Sequence, residues 1–386
     1  MKIHNIYLCQ CETILSGGEK FTYEVVPRWM KKYFCFNYFG YSKLFEKWEA
    51  DGKTKTNSLF NIRPKVKSKA GMLILYFIIF FKSLKLIKKF KDERNVIISH
   101  SDAWPDTLFA FLLKLRNRGA KWIAITHMVL PSPFKGYKYV YTRKYKIPSF
   151  IDLYQWFNMR IFFLLQKKAD LLVSVNPCDR KYLLKKNKKV KIIRYGREYV
   201  GKPVLNSDNK VYDICFLGRF YEQKGIDEIP EIFENLRKVY HKKFSVIFIG
   251  NKNNRSDQLE KELRMRGFDS SIQFLGPKRE SEKYELLKKS KVLIFPSYFE
   301  SFGIVYLDAI SVGTPVVEYD LPCFIDHKSG VLKTPLGNNE SFAKNLKRLL
   351  TDSVLYKKLA LEGYLYSKEF SWDKTAESFE IYFKEI

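Results

Sequence analysis

Two carboxylates, Glu300 and Asp308, stand in the run of this chain best equipped for chemistry: FPSYFESFGIVYLDAISVGTPVV, residues 295–317. An apolar strand runs into a loop that holds Glu300. A Ser-Phe-Gly turn then opens a helix, and Asp308 follows two helical turns after Glu300. A Gly-Thr-Pro turn leads into the next strand. A helix that starts at the carboxyl end of a parallel strand offers unpaired N–H groups, here those of Phe302, Gly303 and Ile304. Together with the positive end of the helix dipole they suit a diphosphate. One carboxylate at the helix start and a second further along is the layout of a nucleotide-sugar site.

Further residues fall into the same pattern. The stretch 216–225, FLGRFYEQKG, ends a strand and places Arg219 and Lys224 around a short loop before a helix. Arg forks onto phosphate oxygens, and Lys acts as a point charge. Just past the first strand, residues 16–20 read SGGEK, and the paired glycines Gly17 and Gly18 let backbone approach a phosphate closely. His127 ends the strand WIAIT, where ligands bind in open α/β sheets. His100, accompanied by Asp102 and Trp104, is a weaker candidate for the acceptor side.

The two-carboxylate run resembles the EX7E signature of retaining glycosyltransferases of the GT-B fold, and among these it is most similar to glycosyltransferase family 4. The second acidic position departs from the usual Glu by one methylene. The resemblance is sharp over residues 212–317 and looser elsewhere. It implies that Arg219 and Lys224 hold the donor diphosphate and stabilise the leaving group. Glu300 would hold donor hydroxyls, and Asp308 would bind the ribose with a shortened reach. Gly17 and Gly18 would face the diphosphate from the first domain, with His127 lining the sugar site. In that reading the sugar is transferred on one face, with the leaving diphosphate helping to deprotonate the acceptor. A double displacement through Glu300 as nucleophile is the other route a carboxylate permits. No Asp-x-Asp triad occurs, and two cations with a helix dipole already neutralise a diphosphate. Catalysis without a metal or other cofactor is therefore expected.

These residues need a scaffold of alternating strands and helices. Strands are read at 3–8, 33–38, 95–99, 122–126, 171–175 and 191–194, then at 213–217, 245–249, 272–275, 292–295 and 315–318. Helices begin near Gly18, Leu73, Pro105, Asp152, Gly225, Asp257, Ser281, Phe302 and Glu340. The turn-rich stretch 201–209 reads as a linker. The expected architecture is α/β: a first Rossmann-like doubly wound domain over 1–203 and a second, nucleotide-sugar-binding one over 204–371, facing across a cleft. The amphipathic helix 372–386 would rejoin the first domain. A chain of 386 residues, 46% of them hydrophobic, can fill two such cores.

Charge is divided unevenly. Residues 1–200 hold 40 Lys or Arg against 14 Asp or Glu, and residues 201–386 hold 29 against 27. Basicity confined to one half points to an anionic partner surface. Two stretches, 71–90 and 134–168, mix aromatic and aliphatic residues with Lys and Arg, as a helix lying in an anionic membrane interface requires. The longest apolar run, 71–81, falls short of the about 20 residues a spanning helix needs. The six cysteines, including Cys9 and Cys11 in the first strand, form no C-x-x-C pair or His cluster, so reduced thiols are expected. No nucleic-acid motif accompanies the basic residues. The sequence thus leads to an enzyme at the cytoplasmic face of a membrane, moving a hexose from a UDP- or GDP-type donor to a lipid-linked or glycan acceptor. A soluble sugar or polysaccharide synthase of the same family, or a silent GT-B module that binds membranes or glycans, is the alternative.

Overall fold

The computed structural model describes residues 1–8, 17–39, 69–87, 95–141, 143–187 and 189–386. The expectations placed on Cys9, Cys11, Ser16 and residues 88–90 lie outside them. The chain divides into two compact units: residues 1–133, 148–196 and 372–386 form the first, and 134–147 with 197–371 the second.

The first unit is built on a parallel sheet of β1 (Lys2–Tyr7), β2 (Phe34–Phe39), β3 (Asn95–Ser99), β4 (Lys121–Thr126), β5 (Leu171–Ser174) and β6 (Val190–Ile192), in the order β2-β1-β3-β4-β5-β6. Its central strands β3, β4 and β5 are mostly apolar because both faces are covered, as in parallel sheets generally. Ile123, Ala124, Ile125, Leu172 and Val173 are fully buried. Right-handed crossovers put the helices Lys69–Ile87, Trp104–Arg116 and Phe150–Gln166 on one face of this sheet, and the helix Gly17–Met30, whose crossover from β1 to β2 steps the other way, on the other. There the terminal helix Trp372–Glu385 packs beside it: Trp29 Nε1 donates to the Ala376 carbonyl at 3.2 Å, and Trp29 lies 4.9 Å from the Phe379 ring.

The second unit carries β7 (Tyr212–Leu217), β8 (Val246–Ile249), β9 (Ile272–Gly276), β10 (Ser290–Phe295), β11 (Val316–Tyr319) and β12 (Val331–Thr334), ordered β12-β11-β10-β7-β8-β9 and all parallel. The direction of winding reverses between β7 and β10. Their carboxyl ends, at Leu217 and Phe295, flank the point where open α/β sheets bind ligands. The core beneath is aromatic: Phe216, Phe220, Phe233, Phe248 and Phe268 pack together, and Phe248 stacks on Phe274 at 4.4 Å.

Three features depart from the sequence reading. β12 and the helices Arg180–Leu184 and Ser353–Ser367 were not foreseen. The helix expected from Gly225 starts at Ile229, after two 3-10 turns at Glu222–Lys224 and Ile226–Glu228. The aromatic stretch 134–168 is not one element, because its first part, Phe134–Ile147, groups with the second unit and its last part forms the helix Phe150–Gln166 of the first.

Candidate functional site

The loops that leave β7 and β10 are joined. Gly225 stands at φ 66°, and a Cβ there would lie 1.8 Å from the Pro296 carbonyl oxygen, so only glycine lets the two backbones meet. Across that contact Tyr298 N donates to the Gln223 carbonyl at 2.9 Å, and Gln223 Nε2 donates to the Phe299 carbonyl at 2.8 Å. The backbone contact brings together two residues 76 positions apart: Lys224 Nζ is paired with Glu300 Oε1. Ser297 Oγ donates to the same oxygen at 2.9 Å. Glu300 is buried and Lys224 nearly so. A buried carboxylate keeps its charge only with such partners. Among the described residues no group bonds Glu300 Oε2, which leaves that oxygen for a hydroxyl. Arg219, exposed at the end of β7, has its guanidinium 5.4 Å from the Tyr221 ring centroid.

The helix carrying the second carboxylate is short, Ile304–Ile310, and Gly303 caps it at φ 76°. A seven-residue helix has a weak dipole, so most positive charge at this edge comes from Arg219 and Lys224. Asp308 is buried and occupied: Tyr284 Oη donates to Oδ1 at 2.6 Å, and Lys283 Nζ to Oδ2 at 2.7 Å. Burial and the Asp308 charge hold the Tyr284 hydroxyl well above its ordinary pKa. Phe302 is buried with its ring edge-on to Phe370 at 6.2 Å.

Sequence reasoning missed two residues behind that turn. His327 Nε2 donates to the Phe302 carbonyl at 3.0 Å, and Nδ1 lies 2.7 Å from Glu318 Oε2. The imidazole is sandwiched between Tyr306 and Phe324, at 3.8 and 4.0 Å. Glu318 is fully buried, and burial raises its pKa against the opposing pull of His327. One proton shared between Glu318 and Nδ1 fixes the ring that holds the Phe302 carbonyl. The signal was available: a Glu inside the buried strand VVEY demands a partner.

The loop 296–300 has a second neighbour. From the segment 134–147, Tyr137 and Tyr141 place their rings 5.6 and 6.4 Å from Phe299. Lys138 pairs with Glu228 at 2.6 Å and lies 5.4 Å over the Tyr298 ring. Glu228 is also bonded by Asn339 Nδ2 at 2.9 Å, and these partners outweigh burial to hold its carboxyl below the ordinary range.

In the first unit, the carboxyl edge of the sheet gathers Gly17, Gly18 and His127. Both glycines lie in the first turn of Gly17–Met30. A Cβ on Gly18 would come within 2.9 Å of His127 Cδ2, so this glycine admits the ring itself. His127 Nε2 contacts the His100 carbonyl at 2.8 Å and must carry the proton there, while Nδ1 accepts from Tyr195 Oη at 2.8 Å. Burial lowers its pKa to about 4, so the ring is neutral at pH 7. Both nitrogens are therefore committed inside this unit. His100 is fully buried, with Nε2 at 3.0 Å from Asn5 Oδ1 and Nδ1 at 3.1 Å from Thr22 Oγ1. It ties β1 to the helix Gly17–Met30 and is a core residue. Its neighbour Asp102 is pushed up to about 6 by burial. Asp179, which accepts from Val129 N at 2.9 Å, is pushed to about 7 by burial, with Asp102 adding to the rise. Among the described residues, no group of three or more His, Cys, Asp or Glu is placed to hold a metal ion.

Residues 201–365 match the family model described as glycosyl transferases group 1. This stretch belongs to that family. The group 1 domain thus coincides with most of the second unit, where the Lys224–Glu300 pair lies. Over 126 residues the chain is 34% identical to a D-inositol 3-phosphate glycosyltransferase of Streptomyces bingchenggensis, an alignment covering 32% of this chain and 28% of that protein. An uncharacterized glycosyltransferase of Methanocaldococcus jannaschii is 24% identical over 321 residues, 77% of this chain and 76% of that one. Among solved structures, Anabaena HepE in complex with UDP superposes with a TM-score of 0.74 at 14% identity, covering all of both chains. Two six-stranded parallel sheets with this likeness make the fold GT-B.

Proposed function

We propose that this protein is a retaining glycosyltransferase that takes a hexose from a nucleoside-diphosphate sugar and passes it to a hydroxyl of a lipid-linked or glycan acceptor. The observation that carries the reading is the buried Lys224–Glu300 pair at the winding reversal of the group 1 domain. Lys224 and Arg219 would bind the diphosphate and stabilise it as it leaves. Glu300, oriented through Oε1 by Lys224 and Ser297, would hold a donor hydroxyl on Oε2. Asp308, already bonded on both oxygens, would meet a ribose only by sharing its remaining lone pairs, or would act by fixing the helix Ile304–Ile310 against Glu280–Lys288. Binding of UDP by a neighbour of the same fold supports a nucleoside diphosphate as leaving group.

The pairing of Glu300 with Lys224 supports same-face transfer over a double displacement. A carboxylate paired with an ammonium is a poor nucleophile, whereas the departing diphosphate can take the acceptor proton. Neither route needs a metal. The test is turnover of UDP- and GDP-hexoses with membrane-lipid extracts as acceptor, reading the anomeric configuration of the product by NMR. Retention, with activity unchanged by EDTA, is expected. Inversion, or loss of activity restored by Mn²⁺ or Mg²⁺, would overturn the mechanism.

A further inference from the structure

The three helices on one face of the first sheet leave their outer side apolar. On Lys69–Ile87, Ile74, Phe77 and Phe81 are exposed at helical spacing, while Leu75, Ile79 and Phe80 turn inward. On Phe150–Gln166 the exposed stripe is Phe157, Ile161 and Leu164, with Phe163 buried beneath. Phe81 and Phe157 each leave about three-fifths of their surface in water, 62% and 61%. The two helices flank Trp104–Arg116, and Trp104 ties them together: its ring lies 5.1 Å from Phe77, 5.2 Å from Phe80 and stacks on Phe162 at 6.2 Å. Their outer stripes therefore belong to one layer. A patch of this kind on a folded unit marks an interaction surface.

Charge selects the partner. The three helices carry six Lys or Arg and two Asp. Asp106 is buried under the bonds of Leu8 N and Ser101 Oγ, and Asp152 is engaged in the cap at Ser149. Exposed lysines sit at the stripe ends, Lys82 and Lys85 on one helix and Lys167 and Lys168 just past the other. A second copy docked on this face would set lysines against lysines. Nucleic acid would gain nothing from Ile74, Ile161 or Leu164. An anionic bilayer complements both features, with apolar side chains entering the acyl boundary and lysines meeting the headgroups. No helix among the described residues is long and apolar enough to cross a membrane.

We propose that the outer face of the helices Lys69–Ile87 and Phe150–Gln166 docks the protein flat on an anionic phospholipid surface. The inference rests on the proposed function only in giving that surface a lipid-borne acceptor. The test is co-sedimentation of the full chain with vesicles of phosphatidylcholine alone and of an equal mixture with phosphatidylglycerol. The wild type and two double variants are compared: Phe81→Glu with Phe157→Glu, and Lys82→Glu with Lys85→Glu. The wild type should pellet with the mixed vesicles and far less with phosphatidylcholine. Each double variant should lose about tenfold or more in partitioning, while melting as the wild type does. Wild type left in the supernatant, or variants pelleting like wild type, overturns the proposal. So does a dimer in solution that the Phe variants split and vesicles do not bind. Thermal stabilisation by UDP or GDP, measured on the same samples, separates the readings. If pelleting is intact and no nucleotide stabilises the wild type, the proposed function fails and the surface stands.

Discussion

At the scale of single residues, Glu300 and Lys224 depend on each other. Taking away Lys224 leaves a buried carboxylate held by Ser297 alone, and breaking a buried pair costs roughly 3–5 kcal/mol. Lys224→Ala should therefore destabilise the second unit by about 3 kcal/mol. Adding Glu300→Gln should recover part of that loss, because the stranded charge is gone, without restoring donor binding. Chemical denaturation of the two single variants and the double variant measures the coupling. Additive losses would mean that the pair contributes nothing as a pair. The types and order of these residues were legible in the sequence, since a strand, a basic loop and an acidic helix start are local patterns. Their contact was not, because it depends on Gly225 meeting Pro296, a long-range approach that no periodicity reports. His327 escaped for the same reason: its role exists only where Glu318 and the Phe302 carbonyl converge on it. His127 was legible as a strand-end residue, but the engagement of both its nitrogens depends on Tyr195 and the His100 backbone.

Among the elements, the segment 134–147 carries the largest surprise. Its density of Tyr and Lys suggested a membrane-facing stretch. In the structure Tyr137 and Tyr141 cover Phe299, and Lys138 is bound to Glu228. Composition shows that aromatic and basic residues are present, but only folding decides which are covered. The helices Lys69–Ile87 and Phe150–Gln166 are the converse case, with apolar stripes left in water. Strand positions were legible because buried parallel strands are continuous apolar runs. The edge strand β12, reading VLKT between turn residues, has no such run. Replacing Tyr137 and Tyr141 together by Ala should uncover Phe299 and loosen the segment. Trypsin should then cut faster after Lys135, Lys138 or Lys144, and the donor KM should rise more than kcat falls. Unchanged cleavage would show that the rings do not secure this segment.

At the scale of the whole molecule, the uneven charge agrees with a division of labour between the units. Residues 201–386 are nearly balanced in charge, with 29 Lys or Arg against 27 Asp or Glu, and they hold the buried Lys224–Glu300 pair at the β7–β10 winding reversal. The excess of Lys and Arg lies in the first half, which also carries the exposed apolar helices. The central claim is that the second unit binds a nucleoside diphosphate through Arg219 and Lys224. The most direct measurement is a thermal-shift panel with UDP, GDP and ADP on the wild type, Arg219→Ala and Glu300→Gln. A ligand at a hundred times its Kd stabilises by about 2.7 kcal/mol. One nucleotide should raise the melting temperature of the wild type by a few degrees and leave Arg219→Ala unmoved. A cooperatively melting wild type that no nucleotide stabilises, or an Arg219→Ala variant that responds as fully as the wild type, would contradict it.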